Sequence, residues 1–242
     1  PLRAEIYVPT YQRQHWQVTI DNIDTTSVTV WVVHLEGQRP YDIPEGVRSA
    51  ICPVEGLGNK RNFILDHARK RGVIAVMIDD DCRIYERPDG PGSYLPIVND
   101  FRPLLKWVEE SVTNGYLHGG ISQRAGNNRV SDDHRENGKM VCFMFYSPDL
   151  PVVDYNETRV MGDYNITLQY LVWGFKNIIS YYYCCNQASG VTGGCDAYRT
   201  KEMMGKAAEY LAWKYPGVVK VETKFSTGPG VFGGERKDVR VQ

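Results

Sequence analysis

Val73-Ile74-Ala75-Val76-Met77-Ile78-Asp79-Asp80-Asp81 decides the fold. Six apolar residues run without a polar break and stop at three carboxylates. A strand covered on both faces reads as a continuous apolar run, because the pleat sends successive side chains to opposite sides. Upstream, Gly56-Leu57-Gly58 opens a helical stretch through Arg71, with Ile64, Leu65 and Ala68 as its apolar stripe and Gly72 as its stop. Further upstream, Val28 to Leu35 is a second β-branched, nearly continuous strand, His15 to Ile23 suits a helix, and Glu5 to Val8 is a short strand closed by Pro9-Thr10. The order βαβαβ predicts an α/β fold with a parallel sheet.

Downstream, Pro88-Asp89-Gly90-Pro91-Gly92 is the clearest loop. Val98 to Val112 is predicted as a helix, Tyr116 to Ile121 as a strand and Ser122 to Lys139 as a long polar loop of the kind that is often functional. Met140 to Tyr146 is a strand. Asp163 precedes a helix whose stripe is Leu168, Leu171, Val172 and Phe175. Ile178 to Cys185 is a tyrosine-rich strand, Arg199 to Tyr215 a helix stopped by Pro216-Gly217, Val218 to Phe225 strand-like, and Thr227 to Gly234 a glycine-rich loop.

The 242 residues suffice to bury a core without staples. Hydrophobic residues make up 42% and charged residues 24%, which excludes wholesale disorder. With 28 basic against 29 acidic residues there is no global positive field, so any contact with nucleic acid must come from local patches. No apolar run is long enough to cross a membrane. Pro1 to Glu5 enters a strand-like run with no apolar leader core. The six cysteines form no C-x-x-C pair and are expected mostly as buried thiols of a reducing compartment, which points to the cytoplasm.

Asp79 and Asp81 project to one face of an extended chain. Adjacent carboxylates repel, and Mg²⁺ or Mn²⁺, which favour oxygen ligands, would relieve that. The competing reading is a solvated acidic turn. Gly58-Asn59-Lys60-Arg61-Asn62 stands at a helix start, where free N–H groups and added positive charge favour a phosphate; otherwise it is a solvated basic face continuing through Arg69, Lys70 and Arg71. Together the two segments form a clamp for a diphosphate.

In this order the residues resemble the GT-A glycosyltransferases, especially those of family 2 type. That family opens with a strand like Ile6-Tyr7-Val8-Pro9-Thr10-Tyr11-Gln12-Arg13. It then shows a G-x-x-x-x-R-N helix, matched by Gly56 to Asn62, and an apolar strand ending in D-x-D, matched by Asp79 and Asp81. An acidic pair opening an apolar helix comes next; here that segment is Gly162-Asp163-Tyr164-Asn165, then Leu168, Leu171 and Gly174. The resemblance implies a GT-A, Rossmann-like α/β fold with a mixed, mostly parallel sheet flanked by helices. It implies one domain over 1–242, residues 1–100 binding a nucleotide-sugar and 101–242 the acceptor. By it, Thr10, Tyr11, Arg13, Lys60, Arg61, Asn62 and Asp80 would bind the nucleotide-sugar, a UDP-sugar, and Asp79 and Asp81 would hold Mn²⁺ or Mg²⁺ on its diphosphate. Asp163 would be the general base, although Gly162 replaces the first acid of the pair. The last histidine is His134, so the late histidine ligand of some GT-A enzymes has no counterpart.

A narrower resemblance covers the second half. Gly119-Gly120-Ile121-Ser122-Gln123-Arg124-Ala125-Gly126-Asn127-Asn128-Arg129, Gly193-Gly194-Cys195-Asp196-Ala197-Tyr198-Arg199 and the ending from Tyr215-Pro216 to Val241 look like segments of the phage glycosyltransferases associated with TET/JBP oxygenases. This implies a modified-DNA acceptor, 5-hydroxymethylcytosine in particular, and a host-cytoplasm location for a phage-encoded chain, with no membrane or obligate protein partner. Arg124, Asn127, Asn128, Arg129, Gly193, Gly194, Tyr198 and Arg199 would then be acceptor-binding. Read from the residues alone, Arg and Asn in the polar loop suit phosphates and base edges, but Asp132, Asp133 and Glu136 share that loop and a solvated loop stays open. From Lys214 onward, six basic residues stand against three acidic ones. Tyr181-Tyr182-Tyr183 is better read as a core strand than as a base-stacking surface. Asp163 as a helix N-cap competes with Asp163 as a base. Two further functions stay open: a family 2-type enzyme acting on a polysaccharide, lipid or protein, and an inactive GT-A-like binding module.

Overall fold

The computed structural model describes residues 2–124, 129–188, 199–227 and 233–241. β1 (Ala4–Pro9), β2 (Val30–His34), β3 (Arg48–Ile51) and β4 (Ile74–Ile78) pair in parallel in the order β3-β2-β1-β4. The sheet continues through β8 (Phe143–Tyr146), β6 (His118–Gln123), β9 (Asn177–Gln187) and β5 (Cys82–Glu86), with β7 (His134–Glu136) also paired to β9. Here pairing is mixed: β6 and β9 are parallel, and β8, β5 and β7 run antiparallel to their neighbours. A separate ribbon joins β10 (Val219–Ser226) and β11 (Gly234–Val241). The helices are α1 (Val18–Asp21), α2 (Leu57–Arg71), α3 (Arg102–Thr113), α4 (Gly162–Val172) and α5 (Lys201–Lys214). The architecture is a mixed α/β sheet, parallel through its first four strands and flanked by helices, and no helix among the described residues is long and apolar enough to cross a membrane.

The apolar run of β4 is explained by its two faces. Ile74, Val76 and Ile78 join Ile6, Val8, Val30 and Val32 in a core covered by Leu104, Leu105, Val108 and Val112 of α3. Ala75 and Met77 point the other way, into a core closed by Ile64, Leu65 and Ala68 of α2 and Ile166 and Tyr170 of α4. A third cluster, built from Leu168 of α4, Met204, Ala207, Ala208 and Leu211 of α5, and Val219 and Val239 of the ribbon, fastens the C-terminal elements to the sheet layer. α4 thus lies between two apolar layers and carries apolar residues on two sides. This corrects the predicted single stripe: Leu168 is buried, but Val172 is 59% exposed and Phe175 falls beyond the helix end.

Other boundaries differ for identifiable reasons. Only Val18–Asp21 of the predicted His15–Ile23 helix is helical, and Trp16 is exposed. α3 starts at Arg102 because Ile97 bridges Tyr85 and Val98 N–H donates to Ile84, which draws that segment to the sheet edge. The polar loop is not free. Fully buried Arg87 donates to the carbonyls of Val130 (2.6 Å) and Asp132 (2.9 Å), and β7 lies within the loop. β3, β5 and β11 are short or rich in charge and carry no apolar pattern. Cys52, Cys82 and Cys184 are buried thiols, in line with the expectation that most of the cysteines are, whereas Cys142 and Cys185 are joined in a disulfide that was not expected. Cys142 immediately precedes β8 and Cys185 lies in β9, the two strands that flank β6; β6 shifts register against β9 between Ile121 and Ser122. Because Cys82, directly after the 79–81 turn, pairs with Gln187, the end of β9 lies beside the end of β4.

Two stability predictions arise here. At Gly119 an added Cβ would stand 2.4 Å from the Ile178 carbonyl oxygen and 2.6 Å from ring atoms of Phe145. Both neighbours are fixed by pairing, so Gly119→Ala should destabilise by about 2–3 kcal/mol in urea unfolding. His118 is fully buried, with Nε2 on the Phe175 carbonyl (2.9 Å), and burial pushes its pKa down to about 4. Its folded pKa lies below the unfolded one, so the fold excludes a proton that the unfolded chain binds. Its contribution is intact above about pH 6.5 and is lost as pH falls toward 4. Between pH 7 and 4.5 this costs about 2–3 kcal/mol. His118→Gln should flatten that part of the stability–pH curve; an unchanged difference between the two pH values would remove His118 as the cause.

Candidate active site

The three carboxylates form the turn between β4 and β5, and each is held differently. Asp80 is buried, accepts from Thr10 Oγ1 (2.7 Å) and pairs with Arg13. Asp81 Oδ2 meets the same guanidinium at 3.1 Å, and Asp79 Oδ1 meets Arg61 at 3.3 Å. Gln187, at the end of β9, places its Nε2 3.4 Å from both Asp79 Oδ2 and Asp81 Oδ1. Asp79 and Asp81 therefore converge on one point, while Asp80 is held toward β1 by Thr10 and Arg13. Burial raises the Asp79 carboxyl, Arg61 opposes that, and the neighbouring negative charges of Asp81 and Asp163 raise it further. Burial also raises Asp80, to about 6, against the pull of Arg13 and Thr10.

Among the described residues no group of three or more His, Cys, Asp or Glu side chains is gathered as a metal cage. Two hard carboxylates facing one point still suit Mg²⁺ or Mn²⁺, because such ions are usually held by one or two carboxylates with waters and substrate phosphates completing the shell. The donor set fits the ion implied by the sequence.

The basic side comes from α2. Gly56, at φ +112°, caps the helix without a side-chain hydrogen bond. Gly58 lets that turn approach the 155–156 backbone: an added Cβ would stand 2.4 Å from Asn156 Oδ1 and 3.1 Å from the Tyr155 carbonyl oxygen. Arg61 lies over the Tyr155 ring (5.4 Å) on its way to Asp79. Lys60 is buried, with Nζ over the Tyr11 ring at 4.8 Å, while Tyr11 donates to Glu55. Asn62 departs from the expectation. Its Nδ2 donates to Asp154 (2.6 Å) and its Oδ1 accepts from Tyr155 N–H (2.9 Å), so it ties α2 to the 155–157 turn and does not line the cleft.

Asp163 lies in the first turn of α4 and faces the same cleft. The N-cap is Met161, in the left-handed region at φ +61°, so the N-cap reading of Asp163 is replaced. Gln12, between Tyr11 and Arg13, is also left-handed (φ +56°). Such conformations cluster at functional sites because they cost free energy that packing elsewhere must offset. Behind Asp163, Asn165 and Lys214 bond to Glu157, Lys214 reaches Gln169 (3.1 Å), and Tyr215 donates to Asn165 (2.9 Å). This network fixes α4 against α5. Burial would raise the Glu157 carboxyl, but Lys214 and Asn165 hold it below its usual value.

The cleft has a volume of about 1070 Å³ and opens at the carboxyl ends of β1 and β4, where ligands bind in α/β sheets. It gathers Thr10, Tyr11, Arg13, Lys60, Arg61, Asp79, Asp80, Asp81, Asp163 and Arg199 from the expected set. Of the other expected acceptor residues, Arg124 is exposed and stacks on Tyr85 (4.5 Å) away from the cleft, and Arg129 is exposed. Asn127, Asn128, Gly193, Gly194 and Tyr198 lie outside the described residues. The cleft also brings in Lys139, Arg159, Gln187, Lys224 and Arg236, which sequence reasoning did not assign to a site. The excess of basic residues after Lys214 was their only signal, and it covered Lys224 and Arg236 alone.

No family model matches the chain, and no curated protein matches it. Among solved structures it is similar to a protein of Desulfovibrio desulfuricans provisionally assigned as a nucleotide-diphospho-sugar transferase. The TM-score is 0.41 at 10% identity, over 74% of this chain and 79% of that one. It is also similar to a mannose-1-phosphate geranyltransferase of Thermus thermophilus, with a TM-score of 0.32 at 11% identity, over 74% of this chain and 58% of that one.

Proposed function

We propose that this chain is a divalent-metal-dependent glycosyltransferase that moves a sugar from a nucleotide-sugar, a UDP-sugar by preference, to the hydroxyl of a 5-hydroxymethylpyrimidine in DNA, 5-hydroxymethylcytosine above all. The observation that supports it is one cleft holding Asp79 and Asp81 turned toward a common point, the first turn of α2 with Arg61, and Asp163. The acceptor follows from the second-half resemblance and from the basic residues Lys139, Arg159, Arg199, Lys224 and Arg236 on the outer cleft.

In this reading Asp79 and Asp81 hold the ion and Arg61 orients Asp79. A bound divalent ion supplies Lewis-acid stabilisation of the charge that grows on the leaving diphosphate. The α2 N–H groups and Arg61 act on that same charge. Asp80 holds Arg13 and Thr10 so that the Tyr11 loop keeps its place beside the nucleotide. The bond from the anomeric carbon to the diphosphate oxygen breaks, and one to the acceptor oxygen forms. The acceptor proton passes to Asp163 Oδ. An acceptor base has to leave the duplex stack to reach this depth.

The test is incubation with Mn²⁺, UDP-glucose and other sugar nucleotides, and DNA containing 5-hydroxymethylcytosine, followed by nucleoside mass spectrometry. A hexose or pentose increment on the modified base is expected. Donor hydrolysis with no increment from any donor would sink the DNA acceptor and leave the donor half standing.

A further inference from the structure

We propose that the cleft-facing side of the β10–β11 ribbon is a docking strip for the phosphate backbone of a nucleic acid; this rests on the acceptor half of the reading above. The ribbon has two distinct sides. Directly opposed residues share a side in an antiparallel pair. One side carries Val219 with Val241, Val221 with Val239, and Phe225 with Glu235, and it packs on α5 through buried Val219 and Val239. The other carries three charged rungs: Lys220 with Arg240, Glu222 with Asp238, and Lys224 with Arg236. Lys224, Arg236 and Asp238 line the cleft, so this side continues the cleft wall outward.

Like charges directly opposed across a ribbon are destabilising unless something neutralises them. The two inner rungs neutralise each other: Lys224 reaches Glu222 (2.9 Å) and Asp238 (3.2 Å), and Arg236 reaches Asp238 (3.4 Å). The outer rung is different. Lys220 and Arg240 are exposed and face one another, and neither makes an ion pair with a described residue. Such a pair is stabilised by an external anion.

At about 3.4 Å per residue, the outer rung lies roughly 14 Å beyond Lys224 and Arg236, which line the cleft. A nucleic-acid strand with a base in the cleft carries one charge per ~3.4 Å and so brings a phosphate to the outer rung. Aromatic rings favour a nucleic acid over an acidic glycan. Tyr164, next to Asp163 and under the Lys139 ammonium (4.4 Å), and Tyr11 both line the cleft into which the strip leads. Flat rings beside a cationic track are how single-stranded bases are held.

The experiment is fluorescence anisotropy of a labelled 20-base-pair duplex over a salt series, with wild type, Lys220→Ala/Arg240→Ala, and Lys220→Arg/Arg240→Lys. Wild type should lose affinity steeply with salt. The alanine variant should bind roughly tenfold more weakly at low salt, with a log–log salt slope smaller by about two, and the charge-conserving swap should bind like wild type. UDP binding should be equal in all three, and the alanine variant should be no less thermally stable than wild type, since it removes a like-charge pair. An alanine variant with wild-type affinity and slope would overturn the strip and leave the acceptor reading intact. A wild type with no salt-dependent duplex binding would overturn both. Salt-dependent binding of heparin without binding of DNA would give the strip to acidic glycans and overturn the proposal.

Discussion

Asp81→Asn should lower kcat/KM for sugar transfer by about 10²–10³-fold and abolish the Mn²⁺-dependent part of the thermal shift caused by UDP. The substitution keeps the shape of the side chain and removes its charge. Of the two carboxyl groups that face Gln187 Nε2, only that of Asp79 then remains. Arg13 keeps its pair with Asp80, so the β1 loop stays in place and the loss is one of charge at the convergence point. Asp80→Asn should behave in the opposite way. It removes the carboxylate that organises Thr10 and Arg13, and should lower thermal stability more than metal affinity. If Asp81→Asn retains a full Mn²⁺-dependent shift, the ion is not held at this turn.

The elements of the parallel half are visible in the sequence because they are long and periodic. β4 and β2 are apolar on both faces, α2 has a stripe and a left-handed glycine at its end, and the D-x-D turn follows from them. The second half is less legible. β5 is only five residues long, β11 is rich in charge, and β3 presents one buried residue, so their pairing is decided by neighbours and not by propensity. The same holds for the site. Asp79, Asp81 and Arg61 stand at fixed short offsets from glycines and strand ends. Gln187 reaches the cluster because β5, directly after the 79–81 turn, pairs with the end of β9 so that Cys82 stands opposite Gln187, and no local pattern encodes that long-range pairing. Asn62 shows the converse. It sits within the helix-start motif but faces Asp154, since a step of one residue along a helix turns a side chain by about 100°.

Lys214 illustrates how the C-terminal elements enter function without touching a reacting atom. It satisfies Glu157, Asn165 and Gln169 together, and Tyr215 adds two bonds to Asn165. α4 is therefore fixed by polar contacts on its α5 side and by Ile166 and Tyr170 on its sheet side. That rigidity matters because the residue before Gly162 is held in the left-handed region, a conformation that relaxes unless packing opposes it.

Asp163→Asn should reduce the turnover of sugar transfer by about 10²–10⁴-fold while leaving UDP binding and its Mn²⁺ dependence unchanged. Asp163 is in the first turn of α4, where an acidic side chain complements the macrodipole, and the variant also loses about 0.3–1 kcal/mol of that interaction. The two roles separate by readout. A carboxylate that only completes the helix start affects stability and leaves turnover near wild type. A base affects turnover and leaves stability nearly untouched. Asp163→Glu carries the decision further: a carboxylate displaced by one methylene still supports the helix dipole but misplaces the proton acceptor, and misplacement by about 1 Å is enough to cost roughly 10²-fold. Full turnover in Asp163→Asn would end the base assignment and return Asp163 to the role of a charge at a helix start. A low turnover with normal UDP binding would place proton transfer on this residue, on the wall of the cleft that faces Arg61 and Asp79.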